Sequence, residues 1–245
     1  MRKDLNESCI IRHFQSYADL GAEDQRLLLS LEEGPLAYSR NTLLWRQGEV
    51  SDCFYTISTG WVCTYRELED GGRQVLDIYV PGDVVGLREF AFQTRISSAM
   101  VLNDARLCAF PKSHLKEVFS SSLLLCNIFF MITARDQAIL LERLVNLGRR
   151  SAREKLAHFL VEISQRLERT NAVVENHLQL PLTQELLADA LGLSSVHVSR
   201  TFNEFRSEGL IETATADIQL KDIDGLKKVA GFDAFYLERS VNDLR

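Results

Sequence analysis

The residue order from Leu182 to Ile211, LTQELLADALGLSSVHVSRTFNEFRSEGLI, constrains the fold more than any other stretch of the chain. Thr183 stands where it can cap a first helix whose apolar positions Leu186, Leu187, Ala190 and Leu191 keep helical spacing, and Gly192 supplies a left-handed exit. Leu193 plugs the corner. Ser194 caps a second helix in which Val198, Phe202 and Phe205, four and three residues apart, form one buried stripe. Ser195, Val196, Ser199, Arg200 and Asn203 fall on the opposite face. Short or hydrogen-bonding side chains at those steps suit the edges of base pairs in a major groove, so the stretch predicts a helix-turn-helix. Helix pairs around a glycine turn also occur in folds that touch no nucleic acid. The downstream residues favour DNA: Ile211, Thr213, Ile218, Gln219 and Leu220 predict a short hairpin behind the second helix, a wing.

Charge tempers that reading. The net charge is −6, and residues 171–245 carry 7 Lys/Arg against 12 Asp/Glu. The second helix itself has Arg200 and Arg206 against Glu204. A locally basic face on an acidic domain predicts modest non-specific affinity that falls steeply with salt.

Ahead of this segment the hydrophobic period changes twice. Phe14, Tyr17, Leu20, Leu27, Leu28 and Leu31 predict short helices that end at Gly34-Pro35. From Leu36 to Phe110 the period is two, with turn signals at Gln47-Gly48-Glu49, Ser58-Thr59-Gly60, Glu69-Asp70-Gly71-Gly72, Pro81-Gly82-Asp83 and Asn103-Asp104. That predicts a small antiparallel barrel or jelly roll. Ser113 to Asn146 reads as one long helix in which Leu125, Ile132 and Ile139 recur every seven residues, an arrangement expected to pair with its own copy. The alternative is a helix that packs on the barrel alone. Gly148 is the expected hinge, and the basic run Arg149 to Lys155 opens another amphipathic helix, serving either phosphate contact or solvation. The expected class is thus α+β: an antiparallel barrel over 1–112, a dimerisation helix over 113–147 and a winged helix over 148–245.

Other chemistries find little footing. The five cysteines, Cys9, Cys53, Cys63, Cys108 and Cys126, form no C-x-x-C pair, which argues against a zinc ribbon or a disulfide framework. A metalloenzyme built on a jelly roll wants several imidazoles inside the barrel. His13, His114, His158, His177 and His197 all lie outside Leu36–Phe110, and no enzyme is expected. The start of the chain lacks a signal-like apolar run, and the apolar stretch Leu123 to Ile132 reads as too short to cross a bilayer. A cytoplasmic location with no membrane partner is therefore expected.

The order of barrel, long helix and winged helix, with PGDVVG at 81–86 and the segment 182–211, resembles the Crp/Fnr family of bacterial transcription regulators over nearly the whole chain. The resemblance implies a homodimer on palindromic double-stranded DNA, contact with RNA polymerase, and a barrel that senses a small-molecule effector or redox state. A regulator whose barrel is a ligand-free scaffold is the alternative. In the cyclic-AMP-responsive members, a glutamate follows the matched glycine and an Arg-Ser pair takes the phosphate. This chain has Gly86-Leu87 and Ser97-Ser98 there, with Arg88 and Arg95 as substitutes, and Leu140 and Leu141 where hydroxyl residues reach the adenine. The resemblance therefore implies a retained barrel without cyclic AMP recognition, since a buried anion needs paired charge. Cys9 stands alone near the amino terminus, so an iron–sulfur cluster is not expected. On the second helix the family's glutamate and arginine appear as Val196 and Arg200, which predicts an altered base preference opposite Val196. Thr183 and His197 are expected to position the backbone.

Overall fold

The computed structural model describes residues 8–168, 177–214 and 217–237. Two compact units emerge: one from the described residues up to Cys63 with Tyr79–Gln137, the other from Thr64–Ile78 with Ala138–Leu237.

The chain opens with α1 (Cys9–Gln15) and α2 (Ala22–Leu31). Eight strands follow: β1 (Leu36–Tyr38), β2 (Leu43–Trp45), β3 (Cys53–Thr59), β4 (Val62–Glu67), β5 (Arg73–Tyr79), β6 (Val84–Val85), β7 (Ser98–Val101) and β8 (Ala105–Pro111). They form two four-stranded sheets, ordered β1-β8-β3-β6 and β2-β7-β4-β5, as the period of two predicts. Between the sheets Trp45, Ile57, Val62, Val85, Val101 and Leu107 make one core cluster. The turn between β3 and β4 depends on Gly60. It has φ +83°, and a Cβ there would lie 2.5 Å from the Cβ of Ala105, so both conformation and space demand glycine.

The predicted single helix from Ser113 is broken at Ser122. α3 (Leu115–Ser121) stops there, and the Ser122 hydroxyl accepts from the Leu125 amide to start α4 (Leu123–Arg149). The seven-residue repeat Leu125, Ile132 and Ile139 is the inward face, 0–3% exposed. Leu125 and Ile132 join Phe14, Phe54, Phe110 and Phe129 in the first unit's core, and Ile139 packs with Tyr236 and Leu237 in the second. The face left open is a different one. Leu123, Phe130, Leu141 and Leu144 are 57–77% exposed, and they continue a three-four spacing through Asn127, Ala134, Gln137 and Gly148.

α4 is also long and apolar enough, by length and composition, to cross a membrane, which corrects the expectation drawn from Leu123 to Ile132 alone. Its inward face, however, is occupied by protein. Gly148 lies within the helix rather than at a hinge, and the break falls at Arg150-Ser151. Ser151 and Glu154 then form a reciprocal cap, each side chain accepting the other's amide, that starts α5 (Ala152–Glu168).

The second unit continues with β9 (His177–Gln179), α6 (Gln184–Leu191), α7 (Ser195–Ser207), β10 (Ile211–Ala214), β11 (Asp217–Leu220) and α8 (Ile223–Ala230). The wing is three strands, ordered β10-β11-β9, not the hairpin alone. Leu178, fully buried opposite Ile218, is the residue that recruits β9. Residues 169–176, most of the polar stretch from Glu168 to Gln179, lie outside the described residues. The terminal helix ends at Gly231, φ +58°, before Phe232.

A buried polar network ties this unit together. Arg143 of α4 meets Asp77 at 2.6 Å and Glu162 of α5 at 3.6 Å, while Arg166 meets Glu162 at 3.1 Å and donates to the Ile78 carbonyl at 2.9 Å. The Tyr236 hydroxyl donates to Glu162 at 3.1 Å. His158, 2% exposed, stacks on Tyr236, and burial lowers its pKa.

Candidate nucleic-acid interface and barrel site

The turn between α6 and α7 follows from its caps. Thr183 Oγ1 accepts from the Leu186 amide at 3.1 Å, and Ser194 Oγ from the His197 amide at 3.3 Å. Gly192 takes φ +58°, and the amides of Gly192 and Leu193 both return to the Ala188 carbonyl, closing α6. Val198, Thr201, Phe202 and Phe205 form the buried side of α7. The outward face carries Val196, 73% exposed, with Arg200 and Asn203 exposed and Ser195 and Ser199 half-buried at its edges. His197 is exposed and its Nδ1 lies 3.0 Å from Ser194 Oγ, so it supports the cap.

Two acids lie along this face. Glu204 holds Arg200 at 3.1 Å, and Arg153 of α5 pairs with both Glu204 and Glu208. Asn203 accepts from Arg206, whose other nitrogen donates to Thr213 of the wing at 2.8 Å. The basic run at 149–155 is largely committed within the protein: Arg150 to Glu142 at 3.1 Å, Arg153 as above, Lys155 buried. Glu204 counts among the charges of this helix in the sequence, and its i+4 spacing from Arg200 is what makes it that residue's partner.

In the barrel, Gly86 is left-handed at φ +90°, and a Cβ on it would stand 3.0 Å from Arg95 and 3.3 Å from the Trp45 ring. Three groups hold Arg95. It donates to Glu89 at 3.2 Å and to the Cys53 carbonyl at 2.6 Å, and its guanidinium lies 4.0 Å over Trp45. Both charged side chains are almost fully buried, 2% and 4% exposed. Ser97 donates its hydroxyl to Glu89 at 2.9 Å, while Ser98 Oγ accepts from the Gln47 amide. Glu89 was overlooked because it sits three residues past Gly86, in a 3-10 turn at Leu87–Glu89, rather than directly after it.

The other sequence-derived pocket residues go elsewhere. Leu87 turns to the core and to an apolar groove of about 330 Å³ shared with Phe90, Phe119, Phe129 and Phe130. Arg88 approaches Asp136 at 3.6 Å and covers Tyr79. Leu140 and Leu141 lie on the open side of α4. Among the described residues one group of metal-type donors meets, Cys9, Glu32 and Cys108. An iron–sulfur cluster takes four ligands, and this group offers three.

Residues 35–122 match the cyclic nucleotide-binding domain family, and residues 154–229 match the Crp-like helix-turn-helix domain. The transcriptional activatory protein AadR of Rhodopseudomonas palustris is 30% identical over 87% of this chain and 88% of its own length. The transcriptional regulatory protein btr of Bordetella pertussis is 26% identical over 91% of this chain and 92% of its own length. Among solved structures, FixK2 from Bradyrhizobium japonicum superposes with a TM-score of 0.75 at 25% identity, covering 82% of this chain and 98% of that one. Capped helices, a three-stranded wing and a two-sheet barrel thus coincide with similarity along most of the chain, and the protein belongs to the Crp/Fnr family of transcription regulators, with a helix-turn-helix DNA-binding domain.

Proposed function

We propose that this regulator works as a homodimer on palindromic double-stranded DNA. Two copies would join along the open stripe of α4, where Leu123, Phe130, Leu141 and Leu144 supply apolar seam positions and Asn127 and Gln137 fix the register. Each copy then offers one α7 to a half-site, with half-sites about one helical turn apart. The observation that carries this reading is the outward face of α7, where an exposed arginine and short side chains sit over a fully packed inner face. Arg200 is suited to guanine O6 and N7, and the Val196 methyls to a thymine methyl. Ser195, Ser199 and Asn203 complete the base and phosphate contacts, while Thr183 and His197 hold the backbone. RNA polymerase is the partner expected of such a regulator, and the cytoplasm its place.

Selection of bound sequences from random duplexes tests this. Enriched inverted repeats with guanine opposite Arg200 and thymine opposite Val196 are expected. Enrichment of single, unpaired half-sites or of no motif overturns it.

A second reading concerns the barrel. Glu89 already answers the charge of Arg95, so a cyclic phosphate entering there would meet a buried carboxylate. That favours a regulator that does not answer to cyclic AMP and whose barrel serves as a scaffold, over one with another effector at this site. Calorimetry against cyclic nucleotides and haem should show no heat of binding. Saturable binding abolished by Arg95→Gln would restore the effector reading.

A further inference from the structure

Two thiols face each other inside the first unit. Cys9 opens α1 and Cys108 lies in β8 opposite Thr56 of β3. They are 7% and 1% exposed, and their sulfurs lie within 4.8 Å of each other and of a Glu32 carboxylate oxygen. The approach is built in, because Ile10, Ile11 and Phe14 seat α1 in the aromatic core.

Glu32 is already engaged as an acceptor. It receives the Ser8 hydroxyl at 2.7 Å, the Ile10 amide at 2.9 Å and the Thr56 hydroxyl at 3.4 Å. That leaves the sulfurs as the reactive pair. A hydrogen bond from Cys108 holds the Cys9 thiol below its usual range, and the same bond together with burial drives Cys108 up. Cys9, the more exposed of the two at 7% against 1%, is the sulfur a peroxide meets first, and Cys108 is the resolving group. Burial pushes the Cys53 thiol, at the far end of β3, up.

We propose that Cys9 and Cys108 are a redox pair that a hydroperoxide converts into an intramolecular disulfide, tying α1 to β8. With hydrogen peroxide, the Cys9 sulfur attacks one oxygen, the O–O bond breaks, and Cys9 becomes a sulfenic acid as the first water leaves. The Cys108 sulfur then attacks the Cys9 sulfur, the S–S bond forms, the S–O bond breaks, and the second water carries away the Cys108 proton. Two thiols and one peroxide give one disulfide and two waters.

The test is peptide mapping of the full chain after treatment with equimolar hydrogen peroxide, denaturation and alkylation. The expected product is a Cys9–Cys108 cross-linked peptide, released by dithiothreitol, with Cys53, Cys63 and Cys126 still alkylated. In Cys108→Ser, Cys9 should stop at the sulfenic acid and be captured by dimedone; in Cys9→Ser, Cys108 should stay reduced. The wild-type map decides the matter even if either variant fails to fold. Cys9 and Cys108 recovered as thiols after other cysteines have oxidised would overturn the proposal. So would cross-links to a different cysteine, or one equivalent of metal that blocks both thiols in the purified protein.

Discussion

Replacing Phe130 by glutamate tests the proposal that two copies join along the open face of α4. Phe130 is 73% exposed in the protomer, whereas Ile132, two residues on, is 2% exposed and lies in the core. Complete burial of a phenylalanine side chain is worth roughly 1.5–3 kcal/mol, so the exposed part of Phe130 contributes about 1–2 kcal/mol per copy on association. A two-fold dimer doubles that to about 3 kcal/mol. Phe130→Glu forfeits it and also sets two carboxylates facing each other in a partly dry seam. At about 1.4 kcal/mol per factor of ten, the dimer dissociation constant should rise by at least ~100-fold. Sedimentation velocity over a concentration series reads this directly, with circular dichroism to show that the helices persist. The expected result is a folded monomer at concentrations where wild type is dimeric. Ile132→Glu should instead unfold the first unit. A Phe130→Glu protein that dimerises as wild type does would refute the assignment of the open stripe as the seam.

Three further outcomes follow from the sites. Arg200→Ala should weaken binding to the selected operator by about 1–3 kcal/mol, whereas Glu204→Ala should tighten it about two-fold by releasing Arg200 from a surface pair worth roughly 0.3–0.5 kcal/mol; fluorescence anisotropy measures both. Glu89→Ala leaves Arg95 buried without its carboxylate and should cost about 3–5 kcal/mol in denaturant unfolding, while a loss below about 1 kcal/mol would count against a structural pair. His158 is neutral in the native state because burial lowers its pKa, so the unfolded chain binds the proton first and stability should fall as the pH drops below about 6.5. In His158→Gln that part of the pH dependence should vanish, as urea midpoints at pH 7.5 and 5.5 would show.

The most legible elements were those specified locally. Thr183, Gly192 and Ser194 act on amides and carbonyls within a few residues of themselves, and each does what its residue type predicts. The barrel strands were legible for the same reason, through alternation and turn residues. α4 was harder. Its sequence carries two heptad-like stripes, and periodicity alone does not say which is covered within the protomer; only the placement of Phe14, Phe54 and Phe110 against Leu125 and Ile132 does. β9 escaped notice because three residues carry no period, and its one signal, Leu178, acts through a partner forty residues away. Glu89 escaped because its partner Arg95 lies across a 3-10 turn and a loop, where spacing has no fixed meaning.

The central claim is that two α7 helices read the two halves of one DNA site together. Titration of the selected inverted repeat, with the half-site separation set at its selected value and then lengthened by five base pairs, tests it most directly. Two protomers should bind the first duplex as a unit, and the half-turn insertion should remove most of that affinity by turning one half-site to the far side of the helix. Equal affinity for both duplexes, or saturation at one protomer per site, would contradict the account.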